Sequence, residues 1–321
     1  MSSNILNQVE KINEPNAIPV QDWATLMSSI KLTPEQEAIF LEWGPLLFKL
    51  RVALMKQFGD AAVEPLFGDA VPPVVFYPAV RPDQYALAHP ATYDEREIMD
   101  HIELFSDPGD PILDPMVGSG TTLSACYKTG RLGVGFELYD HHVELAKRRI
   151  LTLTGSSHED GKNGLWLMQG DCRKLMPMMS PELFNFIIFS PPYFNILKKP
   201  SGERAKYRES IGLPVNYGNS PNDLGNMDNY AEFMSQMRTI YSQCFRLLKK
   251  GRSMVVIVAD IVRQGTFIPY HLDTINAVRA AGFKLRGIQV VMDHWKRKNI
   301  YGAPRRPFEC FHHHYALAFE K

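Results

Sequence analysis

The sequence predicts an α/β fold, in which a doubly wound, mixed sheet of seven strands follows a helical N-terminal extension. Two observations predict it. From about residue 90, short apolar runs of strand length alternate with segments of helical periodicity. The stretch from Ser253 to Ala259 is a continuous apolar run, which is typical of a parallel strand buried on both faces. In such a sheet, ligands bind at the carboxyl ends of the strands.

The predicted strands follow one another along the chain, at 111–113, 132–136, 165–168, 184–189, 253–259, 283–292 and 313–319. Apolar residues three and four positions apart predict the helices between them, at 121–129, 140–151, 228–248 and 268–281. Together these elements form a predicted domain at 85–321, with a long insert at 195–227.

Composition narrows the class of protein. The chain has 321 residues, 45% of them hydrophobic, which suits one large domain with an appendage. No run reaches membrane-spanning length, and the N-terminus lacks a signal-peptide pattern, so we expect a cytoplasmic protein with no membrane partner. Four cysteines without a Cys-x-x-Cys pair argue against a zinc site and a disulfide framework. We therefore expect no metal.

Charge is unevenly distributed, although the formal net charge of the whole chain is zero. Residues 195–321 contain 20 Lys and Arg against 10 Asp and Glu, so the preceding part is acidic. A positive C-terminal part suggests a phosphate-bearing partner. A scatter of solvated surface lysines is the alternative.

A glycine-containing turn is the first candidate binding element. Asp114 and Gly118-Ser119-Gly120 lie at a strand-to-helix junction, where glycines allow close backbone approach and the helix N-terminus favours a carboxylate. The turn is neither the dinucleotide fingerprint nor a phosphate-binding P-loop. Glu137, which ends the next strand, could accept hydrogen bonds from two ribose hydroxyls, and Asp171, after the third, from an adenine amino group. Alternatively, Asp114 and Asp171 cap helices and Glu137 is a surface acid.

These residues carry a resemblance to a known family. Asp114 to Thr122 resembles the cofactor motif of the amino-group DNA methyltransferases, normally Asp-Pro-Phe-x-Gly-Ser-Gly-Thr-Thr, with Met116 at the aromatic position. The segment 89–93 resembles the one that helps these enzymes hold the methionine part of the cofactor. Ser190-Pro191-Pro192-Tyr193 resembles their catalytic motif, and 314–319 resembles their last strand.

The resemblance covers residues 85–321 and implies a Rossmann-like class I methyltransferase fold. It implies S-adenosylmethionine as cofactor and S-adenosylhomocysteine as product, without a metal. The predicted cofactor-binding residues are His89, Pro90, Thr92, Asp114, Met116, Gly118, Gly120, Thr121, Glu137 and Asp171.

The predicted catalytic residues are Ser190, Pro191, Pro192 and Tyr193. An exocyclic amino nitrogen is a poor nucleophile because its lone pair is delocalised into the ring. The Ser190 hydroxyl and the Pro191 carbonyl could accept its two N–H bonds, and adjacent prolines stiffen the turn. Tyr193 could stack on a base flipped out of the duplex. The alternative is a turn that merely ends a strand.

Serine at the first motif position distinguishes between target bases. By family resemblance, Ser-Pro-Pro-Tyr is usual in N4-cytosine enzymes, whereas Asp or Asn in that position is usual in N6-adenine enzymes. The chain has no Pro-Cys dipeptide, so the covalent route to a ring carbon is not supported. The preferred prediction is N4-cytosine methylation; N6-adenine methylation, RNA base methylation and a catalytically silent nucleic-acid-binding protein remain alternatives.

Two basic stretches are predicted to contact DNA phosphates. The insert 195–227 contributes the first and the segment before the last strand the second; the residues are Lys198, Lys199, Arg204, Lys206, Arg208, Lys296, Arg297, Lys298, Arg305 and Arg306. Tyr207, Tyr217 or Tyr301 could stack or wedge. We expect the insert to be mobile without DNA, because it has few apolar residues to bury.

Residues 1–84 lie outside the resemblance. Thr33-Pro34-Glu35 has the residue types that begin a helix, and a proline-rich linker follows that helix. The helix could pack on the main domain, take part in DNA recognition or form a homodimer surface. The expected partner is double-stranded DNA, which implies a nucleoid-associated protein, and a cognate restriction enzyme is possible within a restriction-modification system.

Two runs of histidines and one acid are further candidates for a metal or ligand site. His312-His313-His314 opens a strand whose alternate side chains face opposite ways, and His141-His142 begins a helix without a partner acid. Both are interpreted as structural. Asp260, at the end of the fifth strand, could line the ligand pocket.

Overall fold

The computed structural model describes residues 74–76, 83–90, 93–156, 163–197, 206, 209–210, 212–263, 266–292 and 313–321. The chain divides between Phe76 and Tyr77. Strand β1 (Val74–Phe76) lies in the first part, and every other described element lies in the second. The helix predicted after Thr33 falls outside the described residues.

The second part contains nine strands and seven α-helices among its described residues. The strands are β2 (Pro111–Asp114), β3 (Leu132–Glu137), β4 (Leu165–Gln169), β5 (Phe184–Phe189), β6 (Leu248–Val258), β7 (Ile261–Arg263), β8 (Thr266–Ile268), β9 (Lys284–Met292) and β10 (His313–Glu320). The helices are α1 (Gln84–Leu87), α2 (Glu95–Phe105), α3 (Thr121–Lys128), α4 (Asp140–Thr154), α5 (Cys172–Leu175), α6 (Tyr230–Leu247) and α7 (Tyr270–Ala280). Short 3-10 turns occur at Met176–Met178 and Leu224–Asn226.

Seven of these strands form one mixed sheet in the order β9-β10-β6-β5-β2-β3-β4. Strands β2 to β6 run parallel to one another. Strand β10 runs antiparallel to both of its neighbours, β6 and β9, with Leu317 opposite Val256. The predicted fold class, a doubly wound mixed sheet of seven strands, is therefore confirmed.

Strand β5 lies at the centre of the sheet, which accounts for the apolar residues at five of its six positions. All six of its residues are buried, and alternate side chains enter two separate apolar cores. Ile187 and Phe189 pack in the core that contains Phe233 of α6, whereas Ile188 packs in the core that contains Leu123 of α3. Helices cover both faces of the sheet, so its parallel strands present their ends as the accessible edge.

Helix α2 and the β7–β8 hairpin were not predicted. Helix α2 buries Glu97, Asp100 and His101 together with Ile98 and Ile102, so ionisable residues interrupt its apolar period. Strand β6 also begins before the predicted residue 253. None of the helices in the described part of the chain combines the length and the apolar character that crossing a lipid bilayer requires.

Gly133 of β3 allows α3 to lie close to the sheet. A Cβ atom at this position would be 2.9 Å from Leu123 Cδ2 and 3.1 Å from Cys126 Cβ, both on α3. These contacts are shorter than packed side chains adopt, so any larger residue would push α3 away. The position of α3 matters because the glycine turn leads directly into it.

We expect Gly133→Ala to lower the free energy of unfolding by about 1–3 kcal/mol, because the added methyl group overpacks the contact between β3 and α3. Gly287→Ala is the matched control. Gly287 is also a strand residue, but a Cβ atom there would meet nothing within 4 Å. Urea unfolding of both variants measures the difference, and equal stabilities would contradict the close-approach argument.

Candidate active site

The carboxyl ends of the parallel strands bring the predicted site residues to one edge of the sheet. Asp114 ends β2, Glu137 ends β3, Asp171 follows β4, Ser190 follows β5 and Asp260 follows β6. Because neighbouring strands are parallel, these five positions line the same edge.

Asp114 is fully buried and holds the turn that follows it. Its Oδ1 accepts a hydrogen bond from the Met116 backbone N–H (2.9 Å), and its Oδ2 accepts from the Thr122 hydroxyl (2.6 Å) and the Tyr93 hydroxyl (3.2 Å). Burial raises the pKa of Asp114 from 3.8 to about 7, although these three hydrogen bonds oppose the rise. These contacts make Asp114 the residue that shapes the cofactor motif.

The glycine turn approaches its neighbours too closely for side chains. Gly118 and Gly120 have φ values of +55° and +84°, and a Cβ on Gly118 would lie 3.0 Å from His89 Nε2. Thr121 begins α3, and its hydroxyl accepts a 2.7 Å hydrogen bond from the buried Arg149 guanidinium. The segment 89–93, predicted to help hold the methionine part of the cofactor, therefore approaches the turn through His89.

Glu137 is buried, with 8% of its surface exposed, so the surface-acid alternative is wrong. Its Oε2 accepts from the Gly118 N–H (3.0 Å), and its Oε1 accepts from the Tyr139 N–H (2.9 Å). Burial by itself would raise the pKa of Glu137, but the His142 imidazole, whose Nδ1 lies 3.6 Å from Oε1, the Tyr139 N–H and His89 together outweigh it, and the net pKa is lowered. The group is therefore an ionised carboxylate, and each oxygen retains a lone pair for another donor.

Asp171 makes the contacts of a helix cap. It accepts from the Arg173 N–H (2.9 Å) at the start of α5, and its Oδ2 pairs with the Arg173 guanidinium at 2.7 Å. Burial acts to raise its pKa, but Arg173 lowers it overall. The capping alternative thus describes Asp171 as it stands, and its predicted contact with adenine remains a prediction.

Ser190-Pro191-Pro192-Tyr193 forms the turn after β5. The Ser190 hydroxyl lies 3.4 Å from the Tyr193 hydroxyl, and the Pro192 carbonyl accepts a 3.3 Å hydrogen bond from the Tyr270 hydroxyl. The rings of Tyr193 and Tyr270 meet edge to face, with centroids 6.1 Å apart. Phe194 then takes a left-handed conformation (φ +47°) and is buried. Helix α7 therefore fixes the position of this turn.

Asp260 lies beside that turn, on the neighbouring strand. Its Oδ1 is 2.6 Å from His271 Nδ1, and its Oδ2 accepts a 3.4 Å hydrogen bond from the Tyr315 hydroxyl. His313 contacts Tyr315, whereas His314 contacts Glu97 of α2, so the two histidines face opposite ways as the strand alternation predicts. Within the described residues, no three His, Cys, Asp or Glu side chains are grouped so as to hold a metal ion.

The second half of the insert, 212–227, does not stand free of the domain. The Tyr139 hydroxyl donates to Asp223 (2.8 Å) and accepts from the Ser220 N–H (3.2 Å). The Arg173 guanidinium donates to the Asn222 carbonyl at 2.8 Å. These hydrogen bonds attach the segment to the edge that carries Glu137 and Asp171, unlike the mobile loop expected from its few apolar residues.

The first half of the insert was predicted to contact DNA. Lys206 is exposed. One predicted cofactor-binding residue, Thr92, lies outside the described part of the chain. The other predicted DNA-binding residues also lie outside it: Lys198, Lys199, Arg204, Arg208, Lys296, Arg297, Lys298, Arg305 and Arg306.

Two residues at the site make contacts that the sequence does not predict. His142 does have a partner acid, because the first turn of α4 brings its imidazole next to the Glu137 carboxylate. The sequence pattern that could have predicted this contact is an acid at the end of a strand, followed by a histidine in the first turn of the next helix. Tyr217 from the insert packs near both His142 and His89, with ring centroids 6.2 Å and 5.5 Å away. The sequence carries no signal for that contact.

We expect Asp114 to make stability depend on pH between about 4 and 7. Its pKa is raised in the folded state, so below pH 4 its contribution is fully present, and it is lost as pH rises through about 7. The uncharged variant Asp114→Asn lacks this dependence. The unfolding free energy of wild type minus that of Asp114→Asn should fall by up to about 4 kcal/mol from pH 4 to pH 8. Denaturant titrations at several pH values measure it, and a constant difference would contradict a buried, protonated Asp114.

Comparison with known proteins shows what this chain is similar to. Residues 69–148 match a family model described as DNA methylase, of the N6 and N4 type. The type II methyltransferase M.XycI of Xanthomonas campestris pv. cyanopsidis is 33% identical over 43% of this chain and 42% of its own length. The type II methyltransferase M.SmaI of Serratia marcescens is 50% identical over 14% and 16%, respectively.

The matches with these relatives span less than half of their length. Among solved structures, a SAM-dependent methyltransferase from Methanosarcina mazei is similar over 69% of this chain and 96% of its own, with 11% identity and a TM-score of 0.43. The family model and the type II relatives confirm the predicted resemblance to the amino-group DNA methyltransferase family.

Proposed function

We propose that this protein transfers a methyl group from S-adenosylmethionine to the exocyclic N4 amino group of cytosine in double-stranded DNA. The observation that carries the proposal is the shared edge of the sheet. The Ser190 turn follows β5 there, and the ionised, buried Glu137 ends β3, two strands away. In this proposal, the site for the amino group and the site for the ribose lie on the same edge, two strands apart, so that both molecules can be bound close to each other.

The described residues fit the cofactor. Glu137 uses one lone pair of each oxygen on a backbone N–H, which leaves one on each for the two ribose hydroxyls. Gly118 and Gly120 let the backbone come close, and the N-terminus of α3 favours the carboxylate of the methionine part. We assign His89, Pro90, Thr92, Met116 and Thr121 to the surroundings of that part, and Asp171 to the adenine. When bound, the cofactor supplies a methyl group activated by a positively charged sulfur.

The catalytic turn orients the target nitrogen. The Ser190 hydroxyl and the Pro191 carbonyl accept its N–H bonds, which directs the lone pair towards the methyl carbon. The hydrogen bond from Tyr270 to Pro192 fixes the turn before the base arrives, and the Tyr193 ring provides a stacking surface. The target base leaves the duplex to reach this turn, as in other enzymes that modify DNA bases.

A covalent route through a thiolate has no support among the described residues. Cys126, Cys172 and Cys244 are all buried, and burial raises the pKa of Cys172 to about 12. We propose instead that the basic residues of the insert and of the 296–306 segment bind DNA phosphates and bring the duplex to the turn. A homodimer and a cognate restriction enzyme remain proposals of the same kind.

Two substitutions should separate the roles of the two strand ends. Ser190→Ala should abolish methyl transfer and leave cofactor affinity near that of wild type, because the hydroxyl serves the target base. Glu137→Gln should weaken cofactor binding by about 1–3 kcal/mol, because the amide faces two backbone N–H donors and loses the charge. Glu144→Gln, exposed on α4, is the matched control. Calorimetry and a methyl-transfer assay are the measurements; full turnover by Ser190→Ala would contradict the assigned acceptor.

The modified base provides the direct test of the proposed function. Methylated DNA is digested to nucleosides, and mass spectrometry identifies the product. We expect N4-methylcytidine as its deoxynucleoside, because Ser190 occupies the first motif position. N6-methyladenine alone would show the adenine specificity of the same family, and 5-methylcytosine would refute the noncovalent mechanism. Methylation of RNA but not of duplex DNA would refute the substrate.

A further inference from the structure

Tyr217 lies in the insert, yet it reaches the edge of the sheet that carries the cofactor residues. Its ring centroid is 5.5 Å from that of His89 and 6.2 Å from that of His142. His89 borders Gly118 of the glycine turn, and His142 Nδ1 lies 3.6 Å from Glu137 Oε1. The ring therefore packs on the two histidines that border the glycine turn and the ribose acid.

The position of the Tyr217 ring follows from its two neighbours. His89 borders the turn assigned to the methionine part of the cofactor, and His142 contacts the acid assigned to the ribose. Because the ring packs near both histidines, it lies close to the point where these two parts of the cofactor would meet.

The backbone around Tyr217 holds the ring in that position. Tyr139 binds the segment at Ser220 and Asp223, as described above. The Asn226 side-chain amide donates to the Gly218 carbonyl at 2.9 Å, which closes the segment on itself next to Tyr217. Gly218 packs directly on the Tyr139 ring, where a Cβ would lie 2.5 Å from Cε1. The position of the ring therefore follows from anchored backbone on its C-terminal side.

A methyl donor has a particular chemistry at this point. The atom between the ribose and the transferred methyl group is a sulfonium in S-adenosylmethionine and a neutral thioether in the product. An aromatic face attracts a cation within about 6 Å of its centroid, and the attraction is larger when water is excluded. Neutral sulfur lacks that attraction, so a ring here would hold the donor more tightly than the product.

We propose that the Tyr217 ring covers the methyl-donor site and binds the sulfonium of the donor through its π face. This inference rests on the cofactor of the proposed function. It gives the second half of the insert a role in cofactor selection, separate from the basic residues of the first half. It also predicts that the neutral product leaves more readily than the donor.

The test compares ligands of different charge on variants of one ring. Calorimetry measures dissociation constants for S-adenosylmethionine, for sinefungin, in which an amine replaces the sulfonium, and for S-adenosylhomocysteine. In Tyr217→Leu, the preference for each cation over the neutral thioether should fall about 2- to 30-fold. Tyr217→Phe should keep the preference, because it retains the ring. Tyr127→Leu, an exposed tyrosine at the far end of α3, is the control and should match wild type.

A graded series avoids dependence on the fold of Tyr217→Leu. Phenylalanine with an increasing number of fluorine atoms at position 217 keeps the shape of the ring while weakening its π face. The logarithm of the cation preference should fall steadily with fluorination. Equal loss of affinity for all three ligands in Tyr217→Leu, or a preference independent of fluorination, would overturn the inference while leaving the proposed function intact. Failure of wild type to bind any of the three would overturn the proposed function itself.

Discussion

The buried carboxylate of Glu137 connects the elements on which the site depends. It accepts one hydrogen bond from Gly118 of the turn after β2 and one from Tyr139 at the start of α4. A buried carboxylate stays ionised only if nearby groups stabilise its negative charge. The two N–H donors and His142 stabilise the charge of Glu137. Because the same group joins both strand ends, the glycine turn, Glu137 itself and the first turn of α4 have one fixed geometry.

Asp114 plays the matching part within the turn itself. Its oxygens are occupied by Met116, Thr122 and Tyr93, so it organises the motif from inside. Asp114 therefore supports the backbone of its own turn, whereas Glu137 joins two strand ends. Burial acts to raise the pKa of both acids, but the net pKa of Asp114 is raised, whereas His142 and the other partners of Glu137 lower its net pKa. Two acids in similar positions after neighbouring strands thus differ in charge because their partners differ.

Local sequence was sufficient for the fold and for placing the candidate site residues at the ends of strands. An apolar run that ends at Asp114, Glu137 or Ser190 marks both a strand and its carboxyl end. The apolar residues indicate burial on both faces of the sheet, and the polar residue indicates where the strand ends. The parallel arrangement then brings these ends to one edge. Helix α2 escaped prediction because Glu97, Asp100 and His101 occupy its buried face, where an apolar period is expected.

Only the tertiary structure decided which groups meet across long distances in sequence. Arg173 donates to the Asn222 carbonyl, Tyr139 donates to Asp223, and Tyr217 reaches His89 and His142 from an insert that its composition suggested to be free. Strand positions follow from periodicity, which is a property of neighbouring residues. Contacts between loops depend on how the paired strands arrange those loops in space, so residues 80 or more positions apart, such as Tyr139 and Asp223, meet without a local sequence signal.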